Sequence, residues 1–256
     1  MMKRAVSVLL SAALMLSVLT GCGKSGSVSK KNIPAEETAA SKKIALSDSG
    51  ITVDGAAISD DETAAVYAAQ DIVYYEEGQG VAYGAGTDAD AHSQEEADAH
   101  TVVHITQPGT YTLSGTLSAG QIAVDLGDGA EEDPEAVVTI VLDGVDITCT
   151  VAPAIIFYRV YECGSADMET ATQTVDTSAA GANVVIADGT ENRVTGSHVA
   201  KIYKPESVTL NADGTAVEET KKLHKYDGAL YSKMSMNVSG GEAGTGTLEI
   251  VADNEG

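Results

Sequence analysis

The sequence has no tryptophan, a single phenylalanine, Phe157, and few basic residues. Helical bundles usually draw on Leu and Phe for their thick cores, so this scarcity of large side chains favours thin β layers. Lys and Arg total 15 against 38 Asp and Glu, which gives a net charge of −23 in 256 residues. Because sequence-independent nucleic-acid binding needs cations that neutralise phosphates, so acidic a chain is a poor candidate for it, and we expect no nucleic-acid partner.

Cysteine is scarce too, since the chain has three, Cys22, Cys149 and Cys163. An exported protein permits a disulfide between the second and the third. Both residues also suit small, buried apolar positions. The sequence leaves open whether Cys149 and Cys163 pair.

A basic and apolar leader opens the chain. Its apolar run, residues 5–19, is too short to span a bilayer comfortably, and Leu19-Thr20-Gly21-Cys22 resembles a bacterial lipobox. That resemblance implies a lipoprotein signal peptide over residues 1–21 and a lipid on Cys22. The alternative is an ordinary secretory signal. The expected location is outside the cytoplasm, with the protein anchored to the bacterial membrane by that lipid.

Composition divides the rest of the chain into three parts. Residues 22–43 are polar and small, which is typical of a flexible linker behind the lipidated cysteine. Residues 44–100 form an acidic, partly irregular region or cap. No Lys or Arg occurs over residues 44–158, where 21 residues are acidic. Residues 101–256 are regular and form the expected main domain.

The regular part consists of short alternating apolar runs separated by turns, which predicts β-strands. An apolar strand end followed by a small or acidic residue and glycine recurs at residues 113–115, 142–144, 187–189 and 212–214. Repetition of this kind favours a β-solenoid, whose stacked coils bury a continuous core. A β-sandwich, which also uses many short strands and glycine-rich turns, is the alternative.

Several motifs occur in the order typical of one known family. They lie at residues 105–111, 120–125, 138–149, 152–155, 187–192, 229–233 and 246–250. Together they resemble a family of bacterial surface carbohydrate-binding domains. The resemblance implies an all-β fold, a right-handed parallel β-helix similar in shape to pectate lyases, over residues 101–256. It also implies binding of calcium and of plant-type polysaccharides, including acidic ones.

The chain departs from the family pattern in three ways. Residues 158–182 and 200–226 are longer or less regular than expected between coils. Met234 and Ser235 stand where the family usually has an acidic pair. The sequence also stops where the pattern would begin another coil, which indicates a domain that is incomplete at its C-terminus.

The expected cofactor is calcium, which takes six to eight oxygen ligands from carboxylates, carbonyls and water. Acidic and amide side chains near the predicted turns are the candidates. They are Asp143, Asp146, Asp188, Glu191, Asp253, Asn254 and Glu255. The alternative is that these are solvated turn residues, since Asp-Gly is a common turn dipeptide.

The expected function is non-catalytic polysaccharide binding with calcium assistance. Tyr231 lies in a family-like motif and is the candidate that stacks on a sugar, with packing at a coil edge as its alternative role. A structural adhesin or envelope spacer is the second hypothesis. A pectate-lyase-like enzyme is the third, and it would need a basic residue such as Arg159 or Arg193 to remove a proton.

Replacing Cys22 with alanine tests the predicted lipid anchor. We expect wild-type protein to incorporate labelled palmitate and to sediment with membranes, and Cys22→Ala to do neither, because the acylated thiol is gone. Cys163→Ala is the matched control and should keep the label. Labelled Cys22→Ala protein would contradict the lipobox interpretation.

Overall fold

The computed structural model describes residues 41–70, 72, 94–164, 174–197, 208–210, 217–220 and 228–252. Within them lie sixteen strands, one short helix, α1 (Gln94–Asp98), and 3-10 turns at Ala130–Glu132 and Thr177–Ala179. The strands are β1 (Ser41–Leu46), β2 (Thr52–Val53), β3 (Ala56–Ala57), β4 (Val66–Ala69), β5 (Thr101–Ile105), β6 (Gly109–Leu117), β7 (Gly120–Asp125), β8 (Val138–Thr148), β9 (Ile155–Arg159), β10 (Ala182–Ile186), β11 (Glu191–Gly196), β12 (Val208–Leu210), β13 (Val217–Thr220), β14 (Leu230–Ser232), β15 (Met236–Gly240) and β16 (Thr247–Ala252). In this described part of the chain, no helix combines the length and the apolar character that crossing a bilayer requires.

The strands form two main sheets and one separate hairpin. Sheet A has nine strands in the order β15-β10-β8-β6-β1-β2-β3, and β11 joins it by pairing with β8 and β16. Sheet B has five strands in the order β14-β9-β7-β5-β4, while β12 and β13 pair only with each other. From β5 to β10, successive strands alternate between sheets B and A, so neighbours within a sheet run parallel.

The prediction of a right-handed parallel β-helix is wrong, because both sheets are mixed. In sheet A, β2 runs antiparallel to β1 and to β3, and in sheet B, β4 runs antiparallel to β5. The physical reason lies in the region expected to be an irregular cap. Asp54 and Gly55, both at positive φ, reverse the chain between β2 and β3, and so short a turn permits only antiparallel pairing. The fold is all-β with two mixed sheets.

The core lies where the inward-facing side chains of sheet A stand in register. Ile44 of β1 is opposite Leu113 of β6, which is opposite Leu142 of β8, and all three are fully buried. Side chains alternate across a strand, so every second residue joins such a row. Burying one side chain of this size contributes about 2 kcal/mol, which makes these rows a main source of stability.

The three central strands of sheet B, β5, β7 and β9, are buried on both faces over most of their length. Ile122 and Ile155 are opposite each other on one face, Ala123 and Ile156 on the other, and none of the four is exposed. This explains why its strands read as nearly continuous apolar runs rather than strict alternation.

Sheet A bends at glycines of the recurring sequence motif. β8 changes partner there, since Leu142 is opposite Ile186 of β10, whereas Asp146 is opposite Arg193 of β11. Gly144 has a φ of +77°, a left-handed conformation that other residues adopt only with strain. The glycines of the first and third motifs, at positions 115 and 189, also have positive φ. The fourth motif, residues 212–214, lies outside the described residues.

One buried side chain holds this bend together. Asn192 is 4% exposed, and its Oδ1 accepts hydrogen bonds from the backbone N–H groups of Gly144 at 2.9 Å and Val145 at 3.0 Å. Its Nδ2 donates to Thr190 Oγ1 at 2.8 Å and to the carbonyl oxygen of Thr247 at 3.1 Å. The amide therefore connects β8, β11 and β16, and both of its polar atoms are satisfied.

Both cysteines of the body are free thiols. Burial raises the pKa of Cys149 to about 12, so its thiol is protonated and unreactive at neutral pH. The disulfide that the sequence left open is not formed between Cys149 and Cys163 in this structure.

Replacing Asn192 with alanine tests the bend. The backbone N–H groups of Gly144 and Val145 would lose their acceptor, so we expect the free energy of unfolding to fall by about 2–4 kcal/mol. Urea unfolding followed by circular dichroism measures it. Asn237→Ala is the matched control, because Asn237 lies on β15 and donates two hydrogen bonds at a less buried position. An equal loss in both variants would contradict the special role of Asn192.

Candidate functional site

The structure places four of the predicted calcium ligands around the bend of sheet A. Asp143 and Asp146 lie on β8, Asp188 in the turn after β10, and Glu191 at the start of β11, all exposed. Asp253, Asn254 and Glu255 lie outside the described residues, as does Cys22.

Asp188 already holds a neighbouring turn. Its Oδ2 accepts a hydrogen bond from the Ala243 N–H at 2.9 Å, and its Oδ1 accepts one from the Thr245 N–H at 3.0 Å. These bonds lower the pKa of Asp188 below its ordinary value, which keeps the carboxylate charged. Asp188 therefore secures the turn between β15 and β16.

Asp146 belongs to an exposed row of mixed charge. Asp146 stands opposite Arg193, which stands opposite Glu249, and the Arg193 guanidinium lies 3.8 Å from that carboxylate. Among the described residues, no three His, Cys, Asp or Glu side chains converge as a metal site would require. Calcium binding through these acids stays a prediction.

The tyrosines differ in what they offer a ligand. Tyr111 is fully buried and its hydroxyl donates to the Gln107 carbonyl oxygen at 2.8 Å, so it serves the core. Tyr231, the predicted sugar-stacking residue, lies on β14 opposite Ile156 and packs half-buried against the core. Its contact with a sugar stays a prediction. Tyr158 lies at the end of β9, where charged side chains surround it.

A cluster of polar side chains forms at the carboxyl edge of sheet B. β7, β9 and β14 run parallel, so their carboxyl ends meet at one edge, and the residues at those ends become neighbours. We name this group the Tyr158 cluster. It consists of Asp125, Asp128, Glu131, Tyr158, Arg159 and Lys233.

Arg159 is the centre of the cluster. Its Nε and one terminal nitrogen donate to the two carboxylate oxygens of Asp125 at 2.5 and 2.7 Å. Its other terminal nitrogen donates to Asp128. The hydrogen bond to Asp125, despite an opposing effect of burial, raises the pKa of Arg159 above its already high value. A two-pronged arrangement of this kind fixes the guanidinium plane.

Two cations lie close to the Tyr158 ring. The Lys233 ammonium is 4.2 Å from the ring centroid and the Arg159 guanidinium carbon is 5.5 Å from it. Lys233 also lies 3.9 Å from a carboxylate oxygen of Glu131. Cation–π contacts hold such a ring in one orientation.

Glu162 supports the cluster by fixing the turn after Lys233 with hydrogen bonds. Its carboxylate accepts hydrogen bonds from the Ser235 N–H at 2.7 Å, the Ser235 hydroxyl at 2.8 Å and the Gly164 N–H at 2.6 Å. The resemblance described above led us to expect an acid at position 235. A carboxylate there would repel Glu162, whereas the Ser235 hydroxyl donates a hydrogen bond to it.

The Tyr158 cluster has the chemistry that a hydroxyl-rich ligand needs. Carboxylates accept hydrogen bonds from hydroxyl groups, a guanidinium donates them, and an aromatic ring packs on C–H groups. The sequence analysis named Arg159 as one of two arginines but did not connect it with Tyr158. The signal was there, since Arg159 is the first basic residue after an acidic stretch that begins at residue 44.

Comparison with known proteins agrees with this chemistry. A family model described as "Carbohydrate-binding domain-containing protein" matches residues 99–256. The chain belongs to this carbohydrate-binding domain family. The matched residues include the whole Tyr158 cluster and the bend of sheet A. Carbohydrate binding is accordingly the function that the family indicates.

One relative is a protein of Acetivibrio thermocellus that carries the same description. It is 36% identical over 110 residues, which are 43% of this chain and 30% of that protein. The chain thus matches about a third of the relative's length. No solved structure matches the chain.

Replacing Glu162 with glutamine tests the support of the cluster through its pH dependence. Partial burial raises the pKa of Glu162, but the hydrogen bonds from Ser235 and Gly164 outweigh it, and the pKa lies below the ordinary 4.5. The stabilisation by Glu162 is therefore fully present above about pH 4.5 and lost as the pH falls through the lower folded-state value.

We expect the free energy of unfolding to depend less on pH in Glu162→Gln than in wild type over that acidic range. Urea unfolding at a series of pH values measures it. The exposed Glu132→Gln is the matched control and should follow the wild-type curve. Parallel curves for wild type and Glu162→Gln would contradict the assigned hydrogen bonds.

Proposed function

We propose that this protein binds polysaccharide without converting it and that the Tyr158 cluster is the contact surface. The observation that carries the proposal is the Tyr158 ring held by Lys233 and Arg159 within residues matched by the family model. Part of each cationic side chain reaches solvent, since Arg159 is 31% and Lys233 23% exposed. A sugar can therefore exchange hydrogen bonds with them while its ring packs beside Tyr158.

The protonation state of the two arginines supports a binding role rather than a lyase role. An arginine that removes a proton must first lose its own. Arg159 is bound by Asp125 and Asp128, and its raised pKa keeps it protonated. Arg193 faces Glu249 on the exposed row of sheet A. Neither environment favours the neutral guanidine that proton abstraction requires.

Charge decides which glycans bind directly. The cluster has three carboxylates against two cations, in a chain whose net charge is −23. A glycan that carries carboxylates is repelled unless a cation lies between the two. We propose that calcium bridges acidic glycans to the protein, whereas neutral glycans need no metal. The lipid on Cys22 would hold this binding surface at the outside of the cell membrane.

Retention on insoluble polysaccharide tests the proposal. The full chain in mild detergent is incubated with cellulose and with insoluble pectate, with calcium and then with chelator. We expect retention on pectate to require calcium and retention on cellulose to survive the chelator. Retention on neither matrix by folded protein would favour the structural adhesin, and release of unsaturated sugars from pectate would identify a lyase.

Two substitutions compare the candidate rings. We expect Tyr158→Ala to weaken retention about tenfold, because a stacked ring contributes about 1–1.5 kcal/mol. Tyr231→Ala is the matched control, since Tyr231 packs against the core on the neighbouring strand. Affinity measured by depletion from solution, with thermal unfolding as the check on folding, separates them. If only Tyr231→Ala loses retention on polysaccharide, the binding site is at Tyr231, the candidate named from the sequence, and not at Tyr158.

A further inference from the structure

A cleft is lined by residues that do not belong to the Tyr158 cluster. It has a volume of about 370 Å³ and lies between the turn after β1, the end of α1 and the turn between β6 and β7. A volume of this size is at the lower end of the range for small-ligand sites. Residues 47–68 supply one side of it and residues 99–119 the other, so half of the cleft lies outside the family-matched residues.

The walls combine apolar and polar side chains. Ile51, Ile58 and Leu117 supply the apolar surface, and Asp48, Thr101 and Ser118 supply polar groups. Ile51 and Leu117 are nearly buried, at 7% and 2% exposed. An apolar wall beside a few oriented polar groups is typical of a site for one small ring-shaped molecule.

Asp48 is held in place at this cleft. The Ser118 N–H donates to its Oδ1 at 2.7 Å and the Ser118 hydroxyl donates to its Oδ2 at 2.6 Å. These bonds lower the pKa of Asp48 below its ordinary value, so it stays a carboxylate. Each oxygen keeps a further lone pair that can accept a hydrogen bond from a ligand. The contact spans seventy residues of chain and joins the two sides of the cleft.

The charge of the cleft limits the ligand. Among the described residues that line it, none is Lys or Arg, and Asp48 is the charged group. A carboxylated sugar would meet the Asp48 carboxylate without a compensating cation. A neutral pyranose has C–H faces for the isoleucines and hydroxyl groups that donate to Asp48.

We propose that this cleft binds a single neutral sugar residue, with Asp48 accepting hydrogen bonds from its hydroxyl groups. The site is separate from the Tyr158 cluster. A polysaccharide-binding protein with two such surfaces can hold a chain at one and a chain end or branch at the other, which increases the overall avidity.

Titration of the full chain with methyl β-glucopyranoside, methyl β-galactopyranoside and galacturonate tests the proposal, with saturation-transfer NMR as the readout. We expect at least one neutral glycoside to bind saturably and galacturonate to bind more weakly. Asp48→Asn should weaken the binding roughly five- to tenfold, since it removes a charge-assisted acceptor. Ala99→Phe, at an exposed residue lining the cleft, should abolish it by filling the space.

Asp60→Asn is the matched control, because it removes one exposed carboxylate outside the cleft, and it should leave binding unchanged. Tyr158→Ala should leave it unchanged too, which separates this site from the proposed polysaccharide surface. The proposal is overturned if neither neutral glycoside binds, if galacturonate binds equally well, or if Ala99→Phe, with a wild-type unfolding temperature, still binds. Should Asp48→Asn fail to fold, Ala99→Phe alone decides, because it leaves Asp48 and Ser118 in place.

Discussion

Parallel pairing in register is the constraint from which both the core and the polar surfaces follow. When Ile44, Leu113 and Leu142 stand opposite one another, such rows become the core of sheet A. The same rule brings the ends of β7, β9 and β14 to one edge and makes neighbours of Asp125, Arg159 and Lys233. A slip of one residue in any of these strands would turn its side chains to the other face and scatter the cluster.

The acidic composition explains why the cationic side chains Arg159 and Arg193 lie beside carboxylates. A chain with a net charge of −23 repels itself, and each buried or half-buried cation relieves part of that repulsion. Arg159 meets two carboxylates and Arg193 stands between acids on sheet A. The paired groups then remain fixed and partly exposed, which is also what a sugar-binding surface requires. The chemistry of recognition and the neutralisation of charge use the same residues.

Local patterns predicted much of the β structure but not how its sheets are assembled. The glycines at 115, 144 and 189 were visible as a motif because a left-handed turn needs glycine, and they do lie at turns of the structure. The β-helix prediction failed because the tight turn at Asp54 and Gly55, in a region expected to be an irregular cap, makes β2 and β3 antiparallel. Asn192 escaped notice because three of its four hydrogen bonds reach distant strands, two to β8 and one to β16. The Tyr158 cluster could be found from the sequence only in part, as isolated rings and cations.

The sequence by itself determined the all-β class and the places where the chain turns. These depend on composition and on residues within a few positions of one another. Tertiary structure alone decided the neighbours of Arg159 and the cleft beside Asp48 and Ser118, because each joins segments tens of residues apart. Such contacts arise from the register of whole strands, and no local pattern contains that register.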